Sequence, residues 1–136
     1  MFGGKTTKPQ NRIDSLIGES TTVEGNVVFT GGLRVDGRVK GNVLASDDQP
    51  STLVLSERAR VEGEIRVSHA VINGTVVGPV YGTQYVELQT KCKVTGDVHY
   101  RTLEIQLGAV VQGRLVHEEE SAGQSSMPFG ATATTD

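Results

Sequence analysis

Three histidines and one cysteine are the residues of this chain best suited to acid–base or nucleophilic chemistry near neutral pH. His69, His99 and His117 lie in or near short β-branched runs, and the sequence places no clear carboxylate beside any of them to orient an imidazole. Cys92 lies between two lysines, which could lower the pKa of its thiol. We interpret the histidines as solvated surface residues and the cysteine as a residue merely tolerated on a rung, and we predict no catalytic residue.

Other kinds of site are also unsupported by the sequence. A single cysteine allows neither an internal disulfide nor a metal-binding pattern, and no glycine-rich phosphate loop opens a helix. The formal net charge is −3 and no basic face is clustered, so we predict no nucleic-acid partner. No apolar run is long enough to span a bilayer and no secretory signal is present. We therefore expect no cofactor, no metal and a cytoplasmic protein.

The elements that would position any site are six copies of one phrase: a valine, any residue, glycine, any residue, then another aliphatic residue. A fixed period of this kind is typical of stacked-repeat architectures. The six glycines of the phrase are Gly25, Gly41, Gly63, Gly78, Gly96 and Gly113.

Each phrase has a short alternating run before it and a third apolar run after it, as in Leu33–Val35 and Val98–Tyr100. Alternation of this kind is typical of strands, and helical spacing is not sustained anywhere. Three short strands per repeat of about 17 residues predict an all-β, single-domain β-helix of about six triangular rungs. Valine fits a narrow interior, and glycine lets the chain bend at a corner. We interpret Asp47–Ser51 as a loop that bulges from the coil.

The charged outward positions of the phrase support this stacking. Glu24, Lys40 and Glu62 occupy the same place in successive copies, so opposite charges would alternate from rung to rung.

The predicted coil occupies residues 16–117 and lies between two tails. Residues 1–15 are polar, and residues 118–136 begin with three glutamates and continue in Ser, Ala, Gly and Thr. Neither segment carries enough apolar surface to fold, so we predict disordered N- and C-terminal tails.

A valine–glycine coil of this length, opening Met1-Phe2 with Lys5 and Lys8 close behind, resembles the bactofilins, a family of bacterial cytoskeletal proteins. The resemblance implies a right-handed β-helix that polymerises end to end, without nucleotide, into non-polar filaments. It also implies a scaffold at the inner face of the cytoplasmic membrane that localises cell-shape or cell-wall enzymes. Members often carry an aromatic residue in the last rung, where this chain has the aliphatic stretch 108–111.

Polymerisation is also what the open ends of the predicted coil favour, because end strands are templates for further pairing and soluble solenoids normally cap them. The alternative is that residues 12–15 or the C-terminal tail fold over an end as a cap. We expect head-to-head and tail-to-tail contacts between copies of the chain. The C-terminal contact would use Leu103, Ile105, Leu107, Val110, Val111 and Leu115. The N-terminal contact would use Leu16, Ile17, Val23, Val27 and Phe29.

The N-terminal tip is a candidate membrane anchor formed by Met1, Phe2, Lys5 and Lys8. Burial of one phenylalanine gives roughly 1.5–3 kcal/mol, and each lysine near an anionic surface adds about 1 kcal/mol. One tip is therefore weak, whereas a filament presents many tips at once. We expect membrane binding to depend on polymerisation.

One enzyme class remains as an alternative. Left-handed β-helix acyltransferases also have three short strands per rung, and they act as discrete trimers with a histidine base. Their signature is an aliphatic residue every six positions, whereas the aliphatic residues around each glycine here are four apart. The scaffold interpretation is therefore preferred.

Overall fold

Short parallel strands wind into a coil of six rungs. The computed structural model describes residues 12–119, and all of the regular structure in that range is β-strand. Every strand pairs in parallel with its equivalent in the next rung, as Ser15–Ile17 does with Leu33–Val35. The all-β solenoid of about six rungs predicted from the repeat is confirmed, while its handedness remains an implication of the resemblance.

The strands form three faces, each one strand wide and six rungs tall. The first face contains β1 (Ser15–Ile17), β4 (Gly31–Val35), β7 (Ser51–Leu55), the second half of β9 (Ile65–Ile72), the second half of β11 (Val80–Leu88) and β14 (Leu103–Ile105). The second contains β2 (Thr22–Glu24), β5 (Arg38–Lys40), β8 (Arg60–Glu62), β10 (Thr75–Val77), β12 (Lys93–Thr95) and β15 (Val110–Gln112). The third contains β3 (Val27–Phe29), β6 (Val43–Ala45), the first halves of β9 and β11, β13 (Val98–Tyr100) and β16 (Leu115–His117).

The core is a stack of aliphatic columns along the axis of the coil. Strand alternation turns one side chain of each second-face strand inward, and all six of these are valine. Those of the four middle rungs, Val39, Val61, Val76 and Val94, are buried to at least 99%. The full column is Val23, Val39, Val61, Val76, Val94 and Val111.

The six glycines stack at the corner between the second and third faces. A Cβ built on Gly41, Gly78 or Gly113 would lie only 2.1–2.2 Å from the carbonyl oxygen of the glycine one rung below. Gly78 also has a φ of +145°, which L side chains rarely adopt. The corner therefore tolerates no side chain at these positions, as the sequence predicted.

Amide and carboxylate side chains tie this corner together along the coil. The Oδ1 atom of Asn26 accepts a hydrogen bond from the backbone N–H of Asn42 at 3.0 Å, and Asn42 Oδ1 accepts one from the N–H of Glu64 at 2.8 Å. Asp97 Oδ1 accepts from the N–H of Arg114 at 2.9 Å. Each of these bonds joins one rung to the next, so the residue after the glycine reinforces the ladder.

The corner between the third and first faces is less regular. In the second rung it bulges as a loop of residues 46–50, as predicted, except that Ser51 is wrong as a loop residue because it begins β7. Ser51 and Ser68 exchange hydrogen bonds between backbone and hydroxyl groups at 2.7–3.0 Å, which replaces the missing strand pairing. In the third and fourth rungs the chain runs through this corner without a break, so two predicted strands merge into β9 and two into β11.

The outward charges follow the predicted register, with Glu24, Lys40 and Glu62 side by side on successive rungs. The observed ion pairs, however, lie mostly within single rungs. Those within one rung include Arg34–Asp36 at 2.9 Å, Arg60–Glu62 at 2.7 Å and Arg66–Glu64 at 2.8 Å, and those between rungs include Arg58–Glu19 at 2.8 Å and Arg114–Asp97 at 3.1 Å. Exposed pairs of this kind contribute about 0–1 kcal/mol each, so the ladder and the core hold the coil together.

Replacing Gly78 by alanine should strongly destabilise the coil. The new Cβ would meet the Gly63 carbonyl oxygen at 2.2 Å in a backbone conformation unfavourable to alanine, which together cost about 3 kcal/mol. Thermal unfolding followed by circular dichroism should show a midpoint lower by many degrees. Gly18→Ala is the matched control, because nothing lies within 4 Å of its Cβ position. Equal midpoints for the two variants would contradict the close approach at the corner.

Candidate functional site: the two ends of the coil

Both ends of the coil expose unpaired strand edges. In the first rung β1, β2 and β3 pair only with β4, β5 and β6 on one side, and in the last rung β14, β15 and β16 pair only with the strands of the fifth rung. Edge strands with free N–H and C=O groups are templates for further pairing. The ends are therefore the part of the described molecule whose bonding is incomplete.

The C-terminal end also exposes part of the core. Ile105 and Leu115 face inward, yet they are 48% and 44% exposed because no rung covers them. Their equivalents one rung earlier, Leu88 and Val98, are fully buried. The difference is caused only by position in the stack, so the last rung is a cross-section through the core.

The N-terminal end has the same character but is better covered. Ile17, Val23 and Val27 face inward and are partly buried, and they pack on the core from below. Phe29, the bulky member of the predicted N-terminal set, is only 9% exposed. The two ends are thus apolar cross-sections of unequal depth.

Three residues of the predicted end contacts point away from the axis. Leu16 and Val110 occupy the outward columns that also contain Arg34 and Lys93. Leu107 lies in the turn between β14 and β15 and is 94% exposed. These side chains border the ends, whereas Leu103, Ile105, Val111 and Leu115 form the C-terminal cross-section itself.

The segments nearest the ends lie in the plane of their rungs. The backbone N–H of Asp14 donates to Gly32 O at 2.9 Å, and Asp14 Oδ2 accepts from the Gly32 N–H at 2.9 Å, which holds the pKa of this carboxyl below its usual value. At the other end the N–H of Glu118 donates to Tyr100 O at 2.7 Å. Residues 12–14 and 118 therefore extend the terminal rungs instead of folding over them. The rest of both tails, and with it the predicted tip Met1, Phe2, Lys5 and Lys8, lies outside the described residues.

His69 and His99 point away from the axis of the coil, whereas His117 continues the inward column of Tyr100 into the uncovered last rung. One prediction about the histidines is wrong. His99 Nδ1 lies 2.8 Å from the Glu118 carboxylate, so this histidine has the carboxylate neighbour that the sequence did not reveal. The two residues are nineteen apart along the chain and meet because one rung separates them. The imidazole ring of His99 is also stacked on the ring of Tyr81, with the two ring centroids 4.4 Å apart. This packing makes His99 a structural element of the surface.

His69 is partly buried, and this burial lowers the pKa of its imidazole. Its Nδ1 lies 2.9 Å from the Ser68 hydroxyl. That hydroxyl also donates to the Ser51 carbonyl oxygen at 2.7 Å and accepts from the Ser51 N–H. A hydroxyl has one proton, and Ser68 donates it to the Ser51 carbonyl oxygen and not to His69. Ser68 therefore stabilises the corner between rungs and is not poised as a nucleophile.

Cys92 is fully buried in the fifth rung, and burial raises the pKa of its thiol to about 11. The hypothesis of a lowered pKa is therefore wrong, because the flanking lysines point outward while the thiol points into the core. The structure thus adds to the interpretation of Cys92 as a residue tolerated on a rung that its side chain is part of the core.

Neither a metal site nor a membrane span emerges from residues 12–119. No group of three or more histidine, cysteine, aspartate or glutamate side chains in that range could hold a metal ion. The same range contains no helix long and apolar enough to cross a membrane.

A parallel solenoid whose two ends expose edges and core belongs to the class of self-assembling repeat proteins. Comparison with known proteins identifies the family: residues 15–116 match the family model for Bactofilin, described as polymer-forming cytoskeletal. The chain belongs to the bactofilin family.

Individual relatives agree with this assignment. Bactofilin BacP of Myxococcus xanthus (strain DK1622) is 28% identical over 116 residues, which is 85% of this chain and 47% of BacP, so the chain spans about half the length of that relative. Bactofilin BacO of the same organism is 29% identical over 114 residues, covering 84% of this chain and 85% of BacO.

A solved structure shares the fold as well. A cryo-EM reconstruction of double-helical filaments of Thermus thermophilus bactofilin matches with a TM-score of 0.59 and 30% identity, covering 73% of this chain and 96% of that one. Since the family is one of polymer-forming cytoskeletal proteins, the scaffold interpretation is favoured over the acyltransferase-like alternative.

The Cys92 thiol should be inert towards thiol reagents in the folded protein. A buried thiol with a pKa of about 11 contains almost no thiolate at pH 8, and its sulfur is not accessible. We expect labelling by a chromogenic disulfide reagent only in denaturant, with one thiol released per chain. Rapid labelling of the native protein at pH 8 would contradict the placement of this side chain.

Proposed function

We propose that this protein assembles end to end, without nucleotide, into non-polar filaments that act as a scaffold at the inner face of the cytoplasmic membrane. The observation that carries the proposal is the exposure of inward-facing core residues at both ends, above all Ile105 and Leu115. Matching these ends against other copies would give every terminal strand a second neighbour.

The energy available at one junction is modest. A half-exposed aliphatic side chain gains about 1 kcal/mol when it is covered. In two copies of the C-terminal cross-section, four side chains are half-exposed (Ile105 and Leu115) and four are partly buried (Leu103 and Val111). Covering them gives a gross gain of about 6 kcal/mol, and association itself costs at least about 4 kcal/mol. Backbone pairing between the facing edges supplies the remaining specificity. A junction of this strength favours reversible assembly.

The contacts are proposed to join like ends. A two-fold axis brings the same patch of two subunits together, so a single patch forms both sides of each junction. Alternating head-to-head and tail-to-tail junctions yield a filament with no polarity. We also propose that two such filaments pair, as in the double-helical filaments of the Thermus thermophilus relative.

The membrane part of the proposal rests on the tip residues Met1, Phe2, Lys5 and Lys8. Each tip binds weakly, and the filament supplies many tips in one array. Recruitment of cell-shape or cell-wall enzymes follows from the scaffold role that the resemblance implies. The first experiment is negative-stain electron microscopy of the purified protein without nucleotide: filaments support the proposal, and discrete trimers would revive the acyltransferase-like alternative.

Blocking one end at a time should distinguish like-with-like junctions from head-to-tail junctions. Val111→Arg places a charge in the C-terminal cross-section and Val23→Arg does so at the N-terminal one. If like ends join, each variant leaves the other junction intact and should give dimers by light scattering, while the double variant gives monomers.

A head-to-tail polymer would give a different result. In such a polymer either single variant would already give monomers, since each junction uses both ends. Gln112→Arg is the matched control, because residue 112 is the outward neighbour of residue 111 and should leave filaments long. Circular dichroism should show an intact β-coil in every variant.

Deleting residues 1–8 should release filaments from anionic liposomes without shortening them, because the deletion removes the proposed anchor and leaves both ends of the coil unchanged. Co-sedimentation measures the binding, and electron microscopy measures the filament length. Deletion of residues 121–136 is the control and should retain binding. The Val23→Arg/Val111→Arg double variant keeps its tip but should bind at least tenfold more weakly, since avidity is lost. Unchanged binding after the deletion of residues 1–8 would rule out the tip as anchor.

A further inference from the structure

The third face of the coil has an outward column unlike those of the other two faces. Its members stack rung on rung and contain no carboxylate. They are Val28, Leu44, Arg66, Tyr81, His99 and Val116.

The outward columns of the other two faces contain charged residues that are stacked from rung to rung. On the first face Glu87 and Glu104 lie side by side, and on the second face Glu24 and Glu62 flank Lys40. Aromatic residues and arginine are enriched at protein interfaces, whereas glutamate and lysine are depleted there. The first-face column also contains Leu16, Val54 and Val71, but its last two rungs are acidic. The third-face column has neither glutamate nor lysine over its whole height, which is the composition of an interface.

The middle of this column is already ordered. The guanidinium of Arg66 lies 4.2 Å from the centroid of the Tyr81 ring and is held from the side by Glu64 at 2.8 Å. The Tyr81 and His99 rings are stacked with an interplanar angle of 15°, and Glu118 holds His99. Side chains fixed in this way lose little further entropy on binding.

Val28 is the most exposed member, with 73% of its surface accessible. It lies in the first rung and Val116 in the last, both pointing away from the axis. An end-to-end junction covers the axial direction and leaves these outward side chains uncovered. They therefore require a lateral partner if they are to be buried.

We propose that the third face is the surface through which two filaments of this chain pair, third face against third face with the two coils antiparallel. The inference rests on the proposed filament and names the surface and orientation of its lateral contact. The occupant is a second copy of this chain.

The column is complementary to itself in that orientation. A two-fold axis between the third and fourth rungs sets each rung against its counterpart counted from the other end. Val28 then faces Val116 of the second copy, Leu44 faces His99, and Arg66 faces Tyr81.

The parallel orientation lacks this property, because it sets Arg66 against Arg66 of the second copy. At the glycine corner beside the column, the antiparallel orientation places Glu64 against Pro79 and Asp97 against Asn42. No carboxylate faces another carboxylate there. Like charges in direct opposition are destabilising, so the antiparallel pairing is preferred.

The area of the face explains why filaments pair and single molecules do not. Six rungs at about 4.8 Å and a strand of three residues give a face of about 29 by 10 Å, hence about 300 Å² per copy. A stable complex of two free proteins buries about 800 Å² on each side. One subunit falls well short, whereas a filament adds one such contact per subunit along its length.

A charge exchange tests both the surface and the orientation. Val28→Glu and Val116→Lys each set a charge against an aliphatic side chain of the second copy, so each single variant should form long filaments of single width. In the double variant residue 28 of one copy faces residue 116 of the other with opposite charge, and paired filaments should return. Filament width and length are read separately by negative-stain electron microscopy, with at least a fivefold loss of paired segments expected in each single variant.

Matched controls lie in the same rungs on the second face. Thr22→Glu and Gln112→Lys introduce the same charges at exposed outward positions and should leave pairing unchanged. Loss of pairing in these controls, or failure of the double variant to restore it, would overturn the inference. If instead Val28→Glu keeps paired filaments and loses binding to anionic liposomes, the third face meets lipid and the proposal is wrong. Failure of the proposed function itself is distinguishable, because the unaltered protein would then form no filaments of any width.

Discussion

The close approach of backbone to backbone at the glycine corner governs the rest of the structure. From the second rung upward, each glycine of the phrase lies so near the carbonyl oxygen of the glycine below that a single methyl group would separate the rungs. With that contact in place, the three strands of every rung fall into parallel register with the next. The valine column, the side-chain hydrogen bonds of Asn26, Asn42 and Asp97 to the next rung, and the stacked outward side chains all follow from this one spacing.

In this stack, the backbone hydrogen bonds of each rung are made with the rungs above and below it. The two terminal rungs have only one neighbour each. The inward side chains of the terminal rungs are the same kinds of residue as those in the middle, so the ends differ from the interior only in lacking a rung that covers them. The proposed end-to-end assembly therefore needs no specialised binding domain, because a second subunit would supply what a seventh rung would have supplied.

Much of this structure could be predicted from the sequence, because the features that fix it are local and repeated. The valine–glycine phrase and the runs around it identified the six rungs, including the weak first-face strands at residues 16–17 and 71–72. The His99–Glu118 contact could not be found in this way, since it joins residues in different rungs through a corner of variable length. The burial of Cys92 was also hidden, because the turn before it shifts the alternation of inward and outward positions.

The uniform valine column has a consequence for how such a protein can change during evolution. Because every interior level offers the same surface above and below, one complete rung can be duplicated or deleted by a single event in the gene without disturbing the packing at the seam. The height of the coil is therefore free to vary while its ends are retained. Subunit length thereby becomes adjustable in steps of one rung, about 4.8 Å.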